Sequence, residues 1–372
     1  MIKVGIITYH FVVNYGAAMQ AWALQEYLSK NGYLPKIIDY QPDHIANGGK
    51  IIFPTSLHQL KVMAFRLLLK IRALLLLLSK YENKKKQKFF EFHRSYFFLT
   101  EKKYKTIQSL NESEHDFDVF ICGSDQIWNS SRQAGIDEAY FLNFAPKDAK
   151  KVSYAASFGR SNFDKANAKK LSRLISSFHS ISVREPSGVR LVAELTNRKA
   201  EYVLDPTLLL GEKYIKTVMP SNLNKSYIFS YLLRSKEVAT RTNKYISNKI
   251  DLELVSHETL KAQGNALSPF EWVGYFKYAE YIVTNSYHGT LFSLIFNKPF
   301  IFVALNGKKS TYNERSLSLL NQISLDRLVL FSYNEADIDR ILKEEIDWDK
   351  INKQLDSMRL KSAEYLKVSL AR

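Results

Sequence analysis

Two series of short apolar runs, each run followed by a helical pattern, constrain the fold of this chain most strongly. The first five runs are Lys3–Thr8, Lys36–Tyr40, Asp118–Gly123, Lys151–Phe158 and Ile181–Arg184, and the second five are Tyr227–Leu233, Leu252–His257, Tyr281–Asn285, Phe300–Leu305 and Leu328–Tyr333. Continuous apolar runs of this kind are typical of buried parallel strands. The sequence therefore predicts an α/β fold of two Rossmann-like, doubly wound domains, with ligands bound in the cleft beyond the carboxyl ends of the strands.

Breaks in this pattern predict three regions and one insertion. Asp205-Pro206 and Met219-Pro220 interrupt the alternation, so we expect the first domain over residues 1–210 and the second over residues 211–345. Residues 346–372 have a helical pattern, and we expect them to pack back on the first domain. Residues 57–105 are predicted to be a basic amphipathic helical insertion in the first domain.

The net charge of +16 is concentrated in this insertion, where residues 57–105 contain thirteen basic and three acidic residues. No recognisable nucleic-acid-binding module accompanies the basic residues, so we do not expect a nucleic-acid partner. Cations separate two apolar stripes on the predicted helix. Two interpretations remain open: a helix buried on two sides beside a solvated run of charge, or a surface that contacts an anionic membrane.

The sequence also bears on the compartment. The single cysteine, Cys122, lies in an apolar run, which predicts a buried thiol and allows no intrachain disulfide. The most apolar stretch, residues 62–79, is interrupted by Arg66, Lys70 and Arg72. Each cation costs roughly 2.5 to 3.5 kcal/mol near a bilayer centre, so we predict no membrane-spanning helix. With no signal peptide evident, we expect a cytoplasmic protein, with peripheral attachment to the inner face of the cytoplasmic membrane as an open alternative.

The sharpest candidate for a functional motif follows the apolar run that ends at Asn285. Ser286-Tyr287-His288-Gly289 places a histidine in the first turn of the next predicted helix, where an anion binds well. The helix dipole is expected to lower the pKa of His288 below about 6.5, and a bound anion to raise it again. A capping or core histidine is the alternative interpretation.

Other polar residues follow strands of the first domain. Asp125, after Gly123-Ser124, is a candidate base for a hydroxyl group or a helix cap. Arg184 is a candidate ligand for a carboxylate or phosphate, or it forms an ion pair with Glu185 or Asp205.

The first strand leads into Asn14-Tyr15-Gly16, where the glycine permits close backbone approach. One glycine of the expected three argues against NAD binding. The sequence also lacks a nucleoside-triphosphatase phosphate loop, a spaced Cys/His cluster, HExxH and GxSxG. We therefore expect no metal and no serine-hydrolase chemistry.

Taken in order, these motifs resemble the polysaccharide pyruvyl transferase family over residues 3–327. The matching patches are Asn14-Tyr15-Gly16 with Gln20, Gly123-Ser124-Asp125 with Trp128, Arg184-Glu185 with Asp205-Pro206, Asn285-Ser286-Tyr287-His288-Gly289, and Glu314-Arg315-Ser316. The resemblance implies a fold like the two-domain GT-B glycosyltransferases. It also implies transfer of a pyruvyl group from phosphoenolpyruvate to a sugar as a ketal, with release of phosphate and no cofactor.

The resemblance assigns roles to particular residues. His288 is the expected acid and Asp125 the candidate base. Many family members have an arginine two residues before the histidine, where this chain has Ser286, and we expect Arg315 to replace it. The expected substrate-binding residues are Asn14, Gly16, Gln20, Ser124, Arg184, Asp205, Asn285, Ser286, Gly289 and Arg315.

The resemblance also implies an acceptor, a lipid-linked intermediate of a bacterial surface polysaccharide such as a capsule or exopolysaccharide. Two rival functions belong to other classes. One is a glycosyltransferase of the same shape that uses a nucleotide-sugar. The other is a non-catalytic, membrane-associated assembly protein that needs only residues 57–105.

Overall fold

The structure, a computed structural model, describes residues 1–46, 79–130, 133, 135–220, 226–233 and 237–371. Within this part of the chain, parallel strands form two separate main sheets, one in each half of the molecule. All ten predicted strands overlap strands of the structure. The prediction of two doubly wound α/β domains is confirmed.

The first sheet has the strand order β2-β1-β3-β4, and all its strands are parallel. These strands are β1 (Lys3–Ile7), β2 (Leu34–Ile37), β3 (Val119–Cys122) and β4 (Lys150–Ser153). A parallel pair, β5 (Ser182–Val183) and β6 (Glu201–Tyr202), continues the sheet through isolated bridges beside β4. The sequence pattern did not predict β6, because it has only two residues and neither is buried.

Helices cover this sheet and lead into its loops. They are α1 (Tyr15–Lys30), α2 (Asp43–Ala46), α3 (Lys80–Tyr96), α4 (Ile107–Asn111), α5 (Ala168–Ser176), α6 (Pro186–Thr196) and α7 (Pro206–Leu210). Short 3-10 helices span Glu138–Phe141, Lys165–Asn167 and Glu212–Tyr214. Asn14 caps α1, since its Oδ1 accepts a hydrogen bond from the backbone N–H of Ala17 at 3.0 Å. Cys122 is fully buried in β3, as predicted.

The second sheet has the order β11-β10-β9-β7-β8 and is also parallel. Its strands are β7 (Tyr227–Tyr231), β8 (Glu253–Ser256), β9 (Tyr281–Thr284), β10 (Phe300–Val303) and β11 (Val329–Leu330). The helices of this half are α8 (Glu237–Ile250), α9 (His257–Ala262), α10 (Pro269–Lys277), α11 (Tyr287–Ile295), α12 (Glu314–Gln322), α13 (Glu335–Leu342) and α14 (Trp348–Leu370). Two 3-10 helices span Gly307–Asn313 and Asp326–Leu328.

Strand order locates the expected ligand crevice in each sheet. The order reverses between β1 and β3 in the first sheet and between β7 and β9 in the second. In doubly wound sheets, ligands bind beyond the carboxyl ends of the strands at such a switch point. The loops that follow β1, β3 and β9 carry the motifs around Gly16, Asp125 and His288.

Aromatic packing joins the two halves. Tyr15 of α1 stacks on Trp272 of α10 at a centroid distance of 5.1 Å, and Trp22 meets Phe270 edge to face at 5.0 Å. Both tryptophan side chains are fully buried. Aromatic pairs of this kind contribute about 0.5 to 1.5 kcal/mol beyond their buried area, so α1 is fixed against the second half.

The predicted helical insertion over residues 57–105 differs from the structure at its carboxyl end. Its helix α3 ends at Tyr96, and Leu99 and Tyr104 then form parallel bridges with Ile37 and Tyr40 at the free edge of the first sheet. The apolar residues after Tyr96 pair with this edge instead of continuing the helix to residue 105. Residues 57–78 of the insertion lie outside the described part of the chain. No helix within the described ranges combines the length and the apolarity needed to cross a bilayer.

Some cations of α3 bind partners in the protein. Lys88 Nζ lies 2.6 Å from Glu271 Oε2 of α10, and α3 also contributes an acidic partner, since its Glu82 Oε1 lies 2.8 Å from Lys261 Nζ of α9. Lys85 Nζ lies 4.7 Å from the centroid of the Tyr15 ring. The interpretation of residues 84–88 as a solvated run of charge is therefore wrong for Lys85 and Lys88, which contact other elements of the fold.

The last helix, α14, contacts the first half of the molecule. Ser362 Oγ accepts a hydrogen bond from Leu204 N–H at 3.0 Å, and the Tyr365 hydroxyl donates to the Ser153 carbonyl at 2.9 Å. The side chain of Leu355 is fully buried, whereas that of Leu360 is 72% exposed. The inner face of α14 is therefore part of the core.

This packing predicts a difference between two leucines of one helix. Leu355→Ala leaves a cavity and is expected to lower the free energy of unfolding by roughly 2 to 5 kcal/mol. Leu360→Ala, the matched control, is expected to change it by less than about 0.5 kcal/mol. Urea denaturation followed by circular dichroism measures both variants. Equal losses would contradict the placement of α14.

Candidate active site

A buried arginine is the centre of the candidate site. Arg184, just after β5, is 1% exposed. Its Nη1 donates to Asp205 Oδ2 at 2.7 Å, and its Nη2 donates to Asp125 Oδ1 at 3.2 Å. The two carboxylates raise the pKa of Arg184 against the opposing effect of burial. Of the ion pairs left open by the sequence, the one with Asp205 is formed, and Asp125 is a second partner.

Asp205 is held in place by the start of α7. Its Oδ1 accepts hydrogen bonds from the backbone N–H of Thr207 at 3.0 Å and from the Thr207 hydroxyl at 2.8 Å. Pro206 occupies the first helical position, where a missing N–H costs nothing. The cap occupies one carboxylate oxygen and leaves the other for Arg184.

His288 reaches this pair from the second half of the molecule. It lies in the first turn of α11, and its Nε2 is 3.7 Å from Asp205 Oδ2, beyond hydrogen-bonding distance. Among the described residues, this buried nitrogen has no hydrogen-bond partner. A buried polar atom without a partner points to a ligand or water that completes the site.

The ring of His288 also rests on the backbone of α1. A Cβ atom at position 16 would lie 2.2 Å from His288 Nδ1, so only glycine fits there. The close backbone approach predicted for Gly16 is therefore an approach to His288. This contact brings the loop after β1 and the loop after β9 together.

Burial makes His288 a weak base in the free protein. It lowers the pKa of His288 to about 4, with Arg184 and Arg315 acting in the same direction and Asp205 and Asp125 opposing them. The direction agrees with the sequence-based expectation, but the main cause is burial rather than the helix dipole. His288 is consequently neutral near pH 7 until a bound anion stabilises its proton.

Tyr287 lies between two guanidinium groups. Its ring centroid is 4.8 Å from Cζ of Arg184 and 5.1 Å from Cζ of Arg315, at the start of α12. Burial and the nearby Arg184 lower the pKa of Arg315 to about 10, so it remains charged at pH 7. Unlike that of Arg184, the guanidinium of Arg315 makes no hydrogen bond or ion pair with any described residue. Tyr287 is not among the site residues predicted from the sequence, although its position next to His288 was a signal.

Glu185, next to Arg184, is a second residue that the sequence analysis did not assign to the site. It is 1% exposed, and its Oε1 accepts hydrogen bonds from the Ser157 hydroxyl at 2.8 Å and Phe158 N–H at 2.9 Å. Burial raises the pKa of this carboxyl group, while Arg184 and Arg315 lower it. Glu185 therefore fixes the loop after β4 and adds negative potential near Arg315.

Gln20 organises the loop that carries Ser124 and Asp125. Its Oε1 accepts from Ser124 N–H at 3.0 Å, and its Nε2 donates to Thr8 Oγ1 at 3.0 Å. Ser124 is fully buried, and its Oγ donates to the Ala155 carbonyl at 2.9 Å. Asp125 has a φ of 73°. Its 17% exposed side chain meets Arg184 at the edge of the site.

The remaining predicted residues hold the elements together through the contacts described. Asn285 Oδ1 accepts from Leu233 N–H at 2.8 Å, and Ser286 caps α11 through Gly289 N–H at 3.4 Å. A Cβ at Gly289 would lie 2.2 Å from Thr284 Oγ1. Asn14 caps α1, as noted above. Substrate contacts by these residues stay predictions.

The structure thus brings Arg184, Asp125, Asp205, His288 and Arg315 to one place between the two sheets. Arg184 is paired with two carboxylates, the guanidinium of Arg315 has no ionic partner among the described residues, and the neutral His288 lies in the same site. Such a site can bind a small anion and protonate it once the anion has raised the histidine pKa. No cluster of three or more His, Cys, Asp or Glu side chains suited to a metal ion is found in the described ranges.

Comparisons with known proteins place this geometry in context. The sequence profile described as polysaccharide pyruvyl transferase matches residues 14–307. A sequence search of curated proteins finds no significant match.

Solved structures show the fold. A protein assigned as a UDP-N-acetylglucosamine 2-epimerase from Listeria monocytogenes superposes with a TM-score of 0.52 at 10% identity, covering 96% of this chain and 90% of its own. UDP-GlcNAc 2-epimerase from Methanocaldococcus jannaschii gives 0.51 at 12% identity, covering 93% of each chain. These structures are of the GT-B type, and at such identity the likeness extends to the fold alone.

The contact between Gly16 and His288 predicts a non-additive pair of substitutions. Gly16→Ala forces the imidazole aside and is expected to lower the melting temperature. In a His288→Ala background the space is free, so the same change is expected to be neutral or slightly stabilising, as alanine usually is in a helix. Differential scanning fluorimetry of the four proteins gives the coupling. An equal loss in both backgrounds would show that the ring does not occupy this position.

Proposed function

The chain belongs to the polysaccharide pyruvyl transferase family, and from this premise we propose that it transfers the pyruvyl group of phosphoenolpyruvate to a sugar. The acceptor is a surface-polysaccharide intermediate, the product is a pyruvyl ketal, and phosphate is released. Two groups in one site carry the proposal. The guanidinium of Arg315 lacks an ionic partner among the described residues, and the buried Nε2 of His288 lacks a hydrogen-bond partner there. The proposal needs no cofactor.

The donor is a trianion at most, with a carboxylate and a phosphate ester attached to the same carbon of the double bond. Arg315 offers a planar fork of N–H donors to one of these groups. Arg184 keeps its two carboxylate partners and adds positive potential from the other side of Tyr287. Arg315 lies over the ring of Tyr287, the residue that follows Ser286. This position supports Arg315 as the replacement for the arginine that many family members have where this chain has Ser286.

Donor binding supplies the acid. The free protein holds His288 neutral, and the negative charge of the donor raises the pKa of His288 so that it takes up a proton. His288 then gives this proton to the methylene carbon of phosphoenolpyruvate. The electron pair of the carbon–carbon double bond forms the new C–H bond, and the adjacent carbon becomes electrophilic.

Two additions complete the ketal. One sugar hydroxyl adds to the electrophilic carbon and loses its proton, for which Asp125 is the proposed base. Phosphate then leaves with the electron pair of its C–O bond. The second hydroxyl adds to the same carbon and gives its proton to the departing phosphate, which closes the ring. The atoms balance without an oxidant or reductant.

The nucleotide-sugar glycosyltransferase alternative rests on the GT-B fold, which the UDP-sugar epimerases above share. Attachment to an anionic membrane stays a proposal as well. The exposed cations Lys84, Lys86 and Arg94 of α3 are compatible with it. A lipid-linked acceptor would bring the enzyme to such a surface.

Phosphate release from phosphoenolpyruvate in the presence of a lipid-linked sugar panel tests the function. His288→Ala is expected to lower kcat about 10²- to 10⁴-fold, the usual range for a general acid. Arg315→Ala is expected to raise KM for phosphoenolpyruvate at least tenfold and to leave KM for the acceptor unchanged. Arg190→Ala, which removes an exposed ion pair with Glu194 and a hydrogen bond to the Ser161 carbonyl, is the matched control and is expected to behave as wild type.

Two outcomes would contradict this account. Near wild-type turnover of His288→Ala would remove His288 from the mechanism. Turnover with a UDP-sugar, and none with phosphoenolpyruvate, would favour the glycosyltransferase alternative.

A further inference from the structure

A cavity of about 520 Å³ lies beyond the carboxyl ends of β1 and β2 and is bordered on one side by α3. It is a place separate from the Arg184 cluster, and none of the residues assigned to the donor lines it. Its floor contains three polar side chains from different elements: His10, Asp39 and His93. The cavity therefore combines groups that the donor chemistry leaves unused.

Asp39 is held rigidly in the floor. Its Oδ1 lies 3.0 Å from His10 Nε2 and accepts from Gln41 Nε2 at 2.6 Å. His10 Nδ1 in turn contacts the Thr8 carbonyl at 3.2 Å, so both ring nitrogens of His10 are engaged. Although burial acts to raise it, the His10 contacts hold the pKa of Asp39 below its ordinary value. Asp39 is thus a fixed carboxylate whose Oδ2 makes no hydrogen bond with a described residue.

His93 offers a second unsatisfied group. Its ring stacks on Phe97 at a centroid distance of 4.9 Å, and burial lowers its pKa to about 3. Its Nε2 is buried and has no hydrogen-bond partner within the described ranges. A neutral imidazole of this kind donates to or accepts from a hydroxyl group equally well.

Aromatic residues supply the apolar part of the cavity. Phe89 and Phe97 are buried against the core, whereas Phe90 is 66% exposed and lines the cavity from α3. A pocket of aromatic faces with a few fixed polar groups is typical of small-molecule sites. Together with a carboxylate and a neutral imidazole, these faces suit a pyranose ring, which has hydroxyl groups at its edge and C–H groups on its faces.

Three exposed cations surround the same cavity. Lys86 and Arg94 lie eight residues apart on α3 with Phe90 halfway between them, which puts all three on one face of the helix. Lys103 lines the cavity from the strand-edge segment after α3. In contrast to Lys88, none of the three cations has a hydrogen bond or ion pair with a described residue. Three cations around one carboxylate favour a ligand with a negatively charged group.

We propose that this cavity is the acceptor site and that it takes a sugar whose anomeric carbon bears a phosphate or diphosphate. Asp39 and His93 bind hydroxyl groups of the pyranose, and Lys86, Arg94 and Lys103 bind the phosphate. The assignment of the ligand as acceptor rests on the proposed function.

One short segment of the chain borders both the cavity and His288. Val13 lines it, and Gly16 contacts His288. These two residues are three positions apart, and consecutive Cα atoms are about 3.8 Å apart, so their Cα atoms are separated by at most about 11 Å. The cavity therefore borders the same short segment, residues 13–16, that contacts His288, and the proposal places the sugar hydroxyls on the side of the cavity that faces this segment.

Binding without the donor tests the site itself. Isothermal titration calorimetry with glucose 1-phosphate, galactose 1-phosphate, UDP-galactose and farnesyl-diphosphate-linked galactose is expected to show binding to the full chain. The double variant Arg94→Ala/Lys103→Ala is expected to weaken it at least tenfold, and Asp39→Asn is expected to weaken it comparably. Lys84→Ala removes an exposed cation from the same helix outside the cavity, and this matched control is expected to bind as wild type.

The outcomes separate the possible errors. Preference for the farnesyl compound identifies a lipid-linked source of the phosphate, and preference for a soluble compound a free one; either supports the site. Equal affinity of wild type and Arg94→Ala/Lys103→Ala would overturn it, since these surface changes do not threaten folding. If inorganic phosphate binds as tightly as the sugar phosphates, the cavity binds anions without recognising the sugar, which would contradict the proposal.

A failure of the proposed function can be distinguished from a failure of the sugar site. If wild type binds the sugar phosphates at this cavity but releases no phosphate from phosphoenolpyruvate with any of them, the donor assignment is wrong and the sugar site stands. In an active enzyme, Arg94→Ala/Lys103→Ala is expected to raise KM for the acceptor and leave KM for phosphoenolpyruvate unchanged. The opposite split would place these cations at the donor.

Discussion

The burial of the Arg184 guanidinium between Asp205 and Asp125 is the interaction on which the rest of the site depends. Removing one partner of a buried ion pair leaves an uncompensated charge and costs about 3 to 5 kcal/mol. The loops after β3 and β5 and the start of α7 are therefore fixed relative to one another. This frame gives the site a permanent electrostatic field before any ligand arrives.

His288 responds to that field. It comes from the other half of the molecule, rests on Gly16 and lies near, but not in hydrogen-bonding contact with, Asp205. Burial and the two arginines lower the pKa of His288 and keep the ring neutral, whereas Asp205 opposes them and limits the decrease in pKa. The site is thus arranged so that charge brought by a ligand, rather than charge already present, decides whether His288 carries a proton.

The sequence predicts the fold well, because the buried strands are nearly continuous apolar runs. Val119–Cys122 and Phe300–Val303 are examples, since every residue in each is buried. It also predicts that His288, Asp125 and Arg184 follow strands. It does not predict that Tyr287 separates two arginines, that α3 ends at Tyr96, or that Asp39 and His93 share a cavity. These features arise from contacts between distant segments, which no local pattern encodes.

The coupling between donor charge and the His288 proton is the central claim, and nuclear magnetic resonance titration of the histidine ring tests it most directly. Selectively labelled protein is titrated without and with saturating phosphoenolpyruvate, and His288→Asn assigns the signal. We expect a pKa of about 4 in the free protein and a clear rise when the donor is bound. A pKa that is the same in both states would contradict the account, because His288 would then have no proton to give.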